Sequence, residues 1–275
     1  MTDFVTDTLI PGETTIRSEA ETAFSNFETA VRGTGQHPIA DTLDSAERNR
    51  MKQTLATLTL GQAPRRDLQP LLLEHLSENS IAHFGLLDGL SAAEIEQRYA
   101  PQPGEKVTMT HMEDGSYVVL SAARVEVALQ ALIDKLEAQG FETFLLLCSG
   151  EYKNLEAGNS VLLEPYRILP PLVNAIASGH QVGIMVAREE YLDEQACKWK
   201  SLVQKPFYVV ANPWQPIDHE LTEAALQLQE QGADIVVLDC LGFTQRHRDF
   251  LQKLLGIPVL LSNTLIAKLA AELVQ

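Results

Sequence analysis

The chain has 275 residues, 45% apolar and 21% charged, a composition of a globular protein with room for one large core or two ordinary ones. Its formal charge of −16 argues against a nucleic-acid partner, because phosphate binding needs clustered Lys and Arg. No stretch approaches the roughly 18 consecutive apolar residues of a membrane span, so no membrane partner is expected.

Residues 1–50 are rich in Thr, Ser, Glu and Asp, with Gly33, Gly35 and Pro38 breaking the run, and they hold no strand-like apolar stretch. They show neither a basic n-region nor an apolar h-region, so no secretory signal is read and a cytoplasmic location is the expectation. Within them, "SEAETAFSNFETAVRG" has Ser18 and Glu21 as a capping box and Ala20, Ala23, Phe24, Phe27 and Val31 at helical spacing. The reading is a flexible N-terminal extension carrying one short helix. Met51 then opens the folded part.

Strands and helices alternate from there. Strand "LATLTLG" precedes helix "RRDLQPLLLEHLS", and strand "IAHFGLLD" precedes helix "SAAEIEQRYA", opened by a Ser91 to Glu94 capping box. "KVTMTHMEDGSYVVLS" predicts a β-hairpin, because Asp114-Gly115 between alternating runs favours a tight primed turn. Helix "ARVEVALQALIDKLEAQG", strand "FETFLLLC", helix "PPLVNAIASG", strand "QVGIMVA", helix "EEYLDEQACKWKSL" and strand "FYVVAN" follow. The chain ends with helix "ELTEAALQLQEQG", strand "ADIVVLDC", helix "TQRHRDFLQKLLG", strand "IPVLLSN" and helix "TLIAKLAAELV". Continuous Val, Ile and Leu strands between amphipathic helices mean parallel sheets covered on both faces.

An internal echo organises this series. "EAQGFETFLLLCSG" (137–150) aligns without a gap on "QEQGADIVVLDCLG" (229–242), matching Gly140 with Gly232, Cys148 with Cys240 and Gly150 with Gly242. Fainter similarity makes "TLATLTLGQAPR" and "QVGIMVARE" the first strand of each half. The predicted fold is α/β: two similar three-layer α/β/α halves with mostly parallel sheets, related by a pseudo-two-fold axis, with one hairpin insertion. The boundaries are 51–178 plus 264–275 for the first domain and 179–263 for the second.

Three cysteines without a C-x-x-C suit neither a disulfide framework nor zinc. Cys197 has no twin and is read as packing on an amphipathic helix beside Lys198 and Trp199. Cys148 and Cys240 both close a strand, where α/β proteins place ligands. In facing halves the two thiols would face each other. A thiol acts as a base only as thiolate, so its pKa must be lowered by positive potential or by helix amides. The x-Gly after each cysteine (Ser149-Gly150, Leu241-Gly242) lets backbone N–H groups point into a cleft, where they could also bind a carboxylate.

Two thiols across one carbon permit a two-base reaction, with one removing the proton α to a carboxylate and the other returning a proton to the opposite face. Preorganised donors would stabilise the enolate-like charge without metal or organic cofactor. Arg65, Arg66 and Arg188 follow the first strand of each half and are candidates to bind the carboxylate through paired hydrogen bonds. Gln62, Ser149 and Asn212 fall at strand ends on the same rim as neutral donors. Asp239, beside Cys240, should point away by strand alternation. His247, in "TQRHRD", is read as part of a solvated helical face. G-x-S-x-G, P-loop and G-x-G-x-x-G motifs are absent, as is any metal-ligand spacing of His, Asp and Glu.

From Met51 onward the chain resembles the AroM family, through "LTLGQAPRRD", "GLLDGLS", "LLLCSGE", "LLEPYRILPPLV", "GHQVG" and "VLDCLGFTQRHRDFLQ". More distantly, the two-half layout is similar to the aspartate/glutamate/hydantoin racemase superfamily, which includes arylmalonate decarboxylase and maleate isomerase. That resemblance implies that Cys148 and Cys240 are the catalytic pair and that "GQAP", from Gly61, is a glycine-rich first loop of the site. It departs where Leu241 follows Cys240 in place of Thr, and where Ser149-Gly150 stands for Asn-Thr.

The expectation is a cofactor-independent racemase, isomerase or related lyase acting beside a carboxylate in an interdomain cleft. Its ligand would be a small carboxylate-containing molecule, with a homodimer as a compatible assembly. Leu241 and Asp239 keep open a small-molecule binding or regulatory protein that has lost turnover. Thiols within disulfide reach, Cα atoms less than about 7 Å apart, would instead suit oxidant sensing.

Overall fold

The computed structural model describes residue 50, residues 54–217 and residues 219–274. The predicted extension, its helix over Ser18 to Val31 and Met51 lie outside the described residues.

In chain order the strands are β1 (Leu55–Thr59), β2 (Ile81–Gly85), β3 (Val107–His111), β4 (Tyr117–Ser121), β5 (Thr143–Leu146), β6 (Val161–Leu163), β7 (Val182–Val186), β8 (Phe207–Val210), β9 (Ile235–Leu238) and β10 (Val259–Leu261). The helices are α1 (Gln69–Leu73), α2 (Ala92–Tyr99), α3 (Ala122–Ala138), α4 (Pro165–Ile176), α5 (Leu192–Lys198), α6 (His219–Glu230), α7 (Gln245–Leu255) and α8 (Ser262–Val274). Two four-stranded parallel sheets form, one in the order β2-β1-β5-β6 and the other β8-β7-β9-β10. Counted within each half with the β3–β4 hairpin set aside, both orders read 2-1-3-4, so the sequence echo is an architectural repeat.

Strand chemistry explains the layering. β1, β5, β7 and β9 are buried along their whole length, as their unbroken apolar runs require of central parallel strands. On β5, Phe144 and Leu146 join Leu58, Leu129 and Ile133 in a core under α3, whereas Leu145 and Leu147 face the other way. On β9, Val236 and Leu238 pack with Leu221 and Leu251 under α6 and α7, while Ile235 and Val237 face oppositely. The opposite faces of both sheets meet in one shared core with Val173, Ile184, Ile266 and Ala270. Each large aliphatic so buried contributes roughly 1.5–3 kcal/mol. The chain crosses back at its end, where α8 packs on α4, β5 and α1.

Local signals hold at several boundaries. Ser91 and Glu94 form the full capping box of α2, and Gly115 (φ 83°) turns the antiparallel β3–β4 hairpin. Other boundaries differ from expectation. α4 starts at Pro165, where proline needs no amide partner, and runs through Pro170 and Pro171 instead of beginning there. β6 was not foreseen, because three residues show too little alternation to read as a strand. Among the described residues no helix is long and apolar enough to cross a membrane.

Candidate functional site

In each half the chain runs from its first strand out to one neighbour and returns on the other side, so the strand order reverses between β1 and β5 and between β7 and β9. Crevices at such reversals, beyond the carboxyl ends of strands, are where open α/β sheets hold ligands. Cys148 and Cys240 follow β5 and β9 at these two places. The corners share their hydrogen bonding: Gly150 N donates to Cys148 Sγ at 3.3 Å, and Gly242 N donates to Cys240 Sγ at 3.4 Å. Both cysteines are free thiols and partly exposed at the surface, yet protein surrounds them on most sides. Arg65 and Tyr191 each lie close enough to both sulfurs to interact with them electrostatically.

Burial pushes the thiols up. Desolvation raises Cys148 first, countered by hydrogen bonds from Tyr152 and Gly150, with Glu194 raising it further and Arg65 lowering it. Desolvation takes Cys240 to about 11, opposed by the Gly242 amide, with Asp239 raising it and Arg65 and Lys198 lowering it. Asp239 nonetheless turns into the buried layer beneath the corner, as alternation predicts. Both its oxygens accept from Lys198 Nζ, at 2.8 and 2.7 Å, and Oδ2 also accepts from Trp199 Nε1 at 2.8 Å. Lys198 and Asp239 are fully buried.

The expected rim residues are placed unevenly. Arg65, nearly buried, pairs through two hydrogen bonds with Asp67, at 2.8 and 2.6 Å. Its guanidinium is therefore the cation that both thiols feel, already held by a carboxylate. Arg66 points outward to Glu113 across an exposed 2.6 Å ion pair. Arg188 lies over the Tyr117 ring at 5.0 Å, bridging the second half to the hairpin of the first. Gln62 Oε1 accepts from Glu113 N at 3.0 Å, which fastens the loop after β1 to the hairpin turn. Gly61 lies against the His111 carbonyl so closely that a Cβ would collide with it. Asn212 Oδ1 accepts from Trp214 N at 3.0 Å, so this predicted donor closes its own turn. Ser149 sits partly buried beside Gly150 in the Cys148 corner. Leu241 packs its side chain against the core shared by the halves and lends the corner its backbone.

Several residues at the site escaped the sequence reading. Tyr152 brings its hydroxyl to 3.5 Å from Cys148 Sγ. Glu194 reaches over from α5 to accept from Glu151 N at 3.1 Å and lies 3.4 Å from Lys106 Nζ. His111 stacks on Tyr117 at 4.0 Å and on Trp214 at 5.1 Å, joining the hairpin to the second half. Asn263 donates to the carbonyls of Leu241 and Phe243, at 3.0 and 2.7 Å, and so pins the Cys240 corner from the start of α8. The repeat held a usable signal for Tyr152, which sits four residues past one cysteine, where Thr244 follows the other. Asn263 offered none, since its partners are backbone atoms.

Two expectations are overturned. Cys197 is exposed and does not pack, because the buried stripe of α5 is Gln195 and Lys198. His247 is buried and not solvated: its Nδ1 accepts from Thr244 N at 3.0 Å, completing the cap of α7, and its ring meets Phe243 edge-on. Among the described residues no group of three or more His, Cys, Asp or Glu is arranged to hold a metal ion.

Gly242 gives a direct test of the corner. A Cβ there would lie 2.7 Å from Cζ2 of the Trp214 indole and 2.9 Å from Cγ of Pro213, neither able to swing aside as a flexible chain end would. Gly242→Ala is expected to cost about 1–3 kcal/mol in urea unfolding and to change Trp214 fluorescence, whereas buried Trp199 should be unaffected.

The family model described as AroM protein matches residues 55–274. No curated protein matches. Among solved structures, unliganded arylmalonate decarboxylase is similar in fold at 15% identity and a TM-score of 0.51, over 80% of this chain and 92% of that one. Allantoin racemase from Pseudomonas fluorescens is similar at 14% identity and a TM-score of 0.51, over 80% of this chain and 90% of that one.

Proposed function

The chain belongs to the AroM protein family, and on that premise we propose that it is a cofactor-independent racemase or isomerase acting by two-thiol acid/base chemistry at a carbon beside a carboxylate. The observation that carries this reading is the pair of matching Cys-x-Gly corners, each with its glycine amide on its own sulfur and both within electrostatic reach of Arg65 and Tyr191. The similarity of fold to a decarboxylase and a racemase supports it as well.

In the proposed reaction the substrate carboxylate lies in the field of Arg65, near the amides of the two corners. One thiolate takes the α proton; the C–H bond breaks, an S–H bond forms, and the electron pair spreads into the carboxylate. The opposite thiol then gives its proton to the other face of the carbon and becomes the thiolate, inverting the centre. No redox partner or metal enters the balance.

A second reading, a binding or regulatory protein without turnover, is favoured by the state of Cys240. Burial pushes its pKa up to about 11, so Cys240 stays a neutral thiol at pH 7. Solvent deuterium incorporation separates the two. Amino acids, hydantoins and 2-substituted malonates are incubated with the protein in D2O and read by NMR. Exchange at the α carbon of at least one acid, abolished in the Cys148→Ala/Cys240→Ala double variant, is the expected result. Exchange with none, alongside thermal stabilisation by an acid recovered unchanged, would establish the binding reading.

A further inference from the structure

The two corners repeat in their backbones and differ in what meets the sulfur. Cys148 Sγ has a second polar neighbour, the Tyr152 hydroxyl at 3.5 Å, besides the Gly150 amide. At the equivalent position of the other half stands Thr244, which is engaged with the His247 ring at 2.9 Å and leaves Cys240 with its glycine amide. Tyr152 is buried in the core under α3, at 6% exposure. The side chain of Thr108 on β3 also acts on this hydroxyl, in the sense of a donor to the phenol oxygen. With Thr108 as donor to the phenol oxygen, the phenol hydrogen is left for the sulfur.

We infer that Tyr152 is a positioning residue that biases the pair toward Cys148 as the proton-abstracting thiolate and Cys240 as the proton-donating thiol, with the reverse assignment slower. This rests on the two-thiol reading above. In the step so assigned, the Cα–H bond breaks, its proton goes to Cys148 Sγ, the phenol hydrogen bond releases its hold on the charge, and Cys240 S–H protonates the opposite face.

The surroundings are consistent with this division. Burial, with Cys148 beside it, holds the Tyr152 phenol well above its usual range, so it stays a donor wherever a thiol can be assayed. The charged and titratable groups around Cys148 are Glu194, which opposes its ionisation, Arg65, which favours it, and Tyr191. Those around Cys240 are Asp239, which opposes, Lys198 and Arg65, which favour, and again Tyr191. Arg65 and Tyr191 are common to both sulfurs, and each sulfur has one carboxylate against it. Cys240 has Lys198 in its favour, but that cation is bound by both oxygens of the opposing Asp239. The phenol is thus the donor present on one side alone, and hydrogen bonds to an anion are about twice as strong as those between neutral groups.

The test reads ionisation directly and needs no substrate. Iodoacetamide alkylation is followed between pH 6 and 10, with peptide mass spectrometry resolving Cys148, Cys197 and Cys240. A raised thiol pKa keeps the unreactive neutral form, so each rate climbs with pH. In Tyr152→Phe, alkylation of Cys148 at pH 8 should fall about tenfold and its profile move to higher pH, with that of Cys240 unchanged. Thr108→Val, which keeps the phenol and removes its partner, should move Cys148 the same way by less; it decides the matter should Tyr152→Phe not fold. An unmoved Cys148 profile, or Cys148 and Cys240 moving together, overturns the inference. Because alkylation is independent of turnover, that failure would leave the racemase reading standing, and absent deuterium exchange would leave this inference standing as a property of the thiols.

Discussion

If the two-thiol proposal holds, Cys148→Ala and Cys240→Ala are each expected to lower racemisation by about a thousandfold or more, with opposite residual chemistry. A positioned acid or base contributes roughly 10²–10⁴-fold, and inversion needs both. One thiol alone can still remove a proton and return one to the same face. Each single variant should therefore exchange the α hydrogen of one enantiomer with D2O while that enantiomer keeps its configuration. The two variants should select opposite hands. Chiral chromatography together with NMR of the α proton reads both quantities, and loss of exchange for both hands in either single variant would count against a two-base site. Serine should replace cysteine poorly, since a hydroxyl ionises far less readily than a thiol.

The second large effect concerns stability. Lys198→Met should destabilise the protein by about 3–5 kcal/mol, because Asp239 would remain buried with a single indole N–H as partner. Adding Asp239→Asn should recover much of that loss, since a neutral amide is far less costly to bury than an unpaired carboxylate. A double-mutant cycle in urea unfolding measures the coupling. Additive single effects would mean that the ion pair carries no special weight. The pair adjoins Cys240 in the chain, so the same variants also show how rigidly that corner is held.

The repeat was legible in the sequence because its markers are backbone requirements. Gly140 and Gly232 adopt positive φ at the ends of α3 and α6, and Cys-x-Gly marks each corner, so the alignment of 137–150 on 229–242 carried the geometry with it. β6 could have been found from the same repeat, since it occupies the place in the first sheet that β10 holds in the second. His247 was misread because a capping imidazole within a charged run looks solvated; its burial depends on Phe243 and Thr244, which the helical pattern does not weigh. The ring contact between His111 and Trp214 joins residues more than a hundred positions apart, and no spacing rule reaches that far. Arg65 is held by a carboxylate two residues on, a partner that the strand-end pattern does not single out.

Among the described residues the β3–β4 hairpin occurs in the first half only, and it reaches both corners: Thr108 approaches Tyr152 beside Cys148, and His111 meets Trp214, which lies over Gly242. Duplication of one unit yields two equal sulfurs, and equal sulfurs make no distinction between left and right in a substrate. The proposed bias between them starts at Tyr152, where the other copy has Thr244, and the hairpin, a ribbon of about fifteen residues outside the repeat, reaches that tyrosine through Thr108. On the two-thiol proposal, changes in that ribbon would retune handedness and ligand choice together, while the duplicated sheets and their cysteines stay as they are.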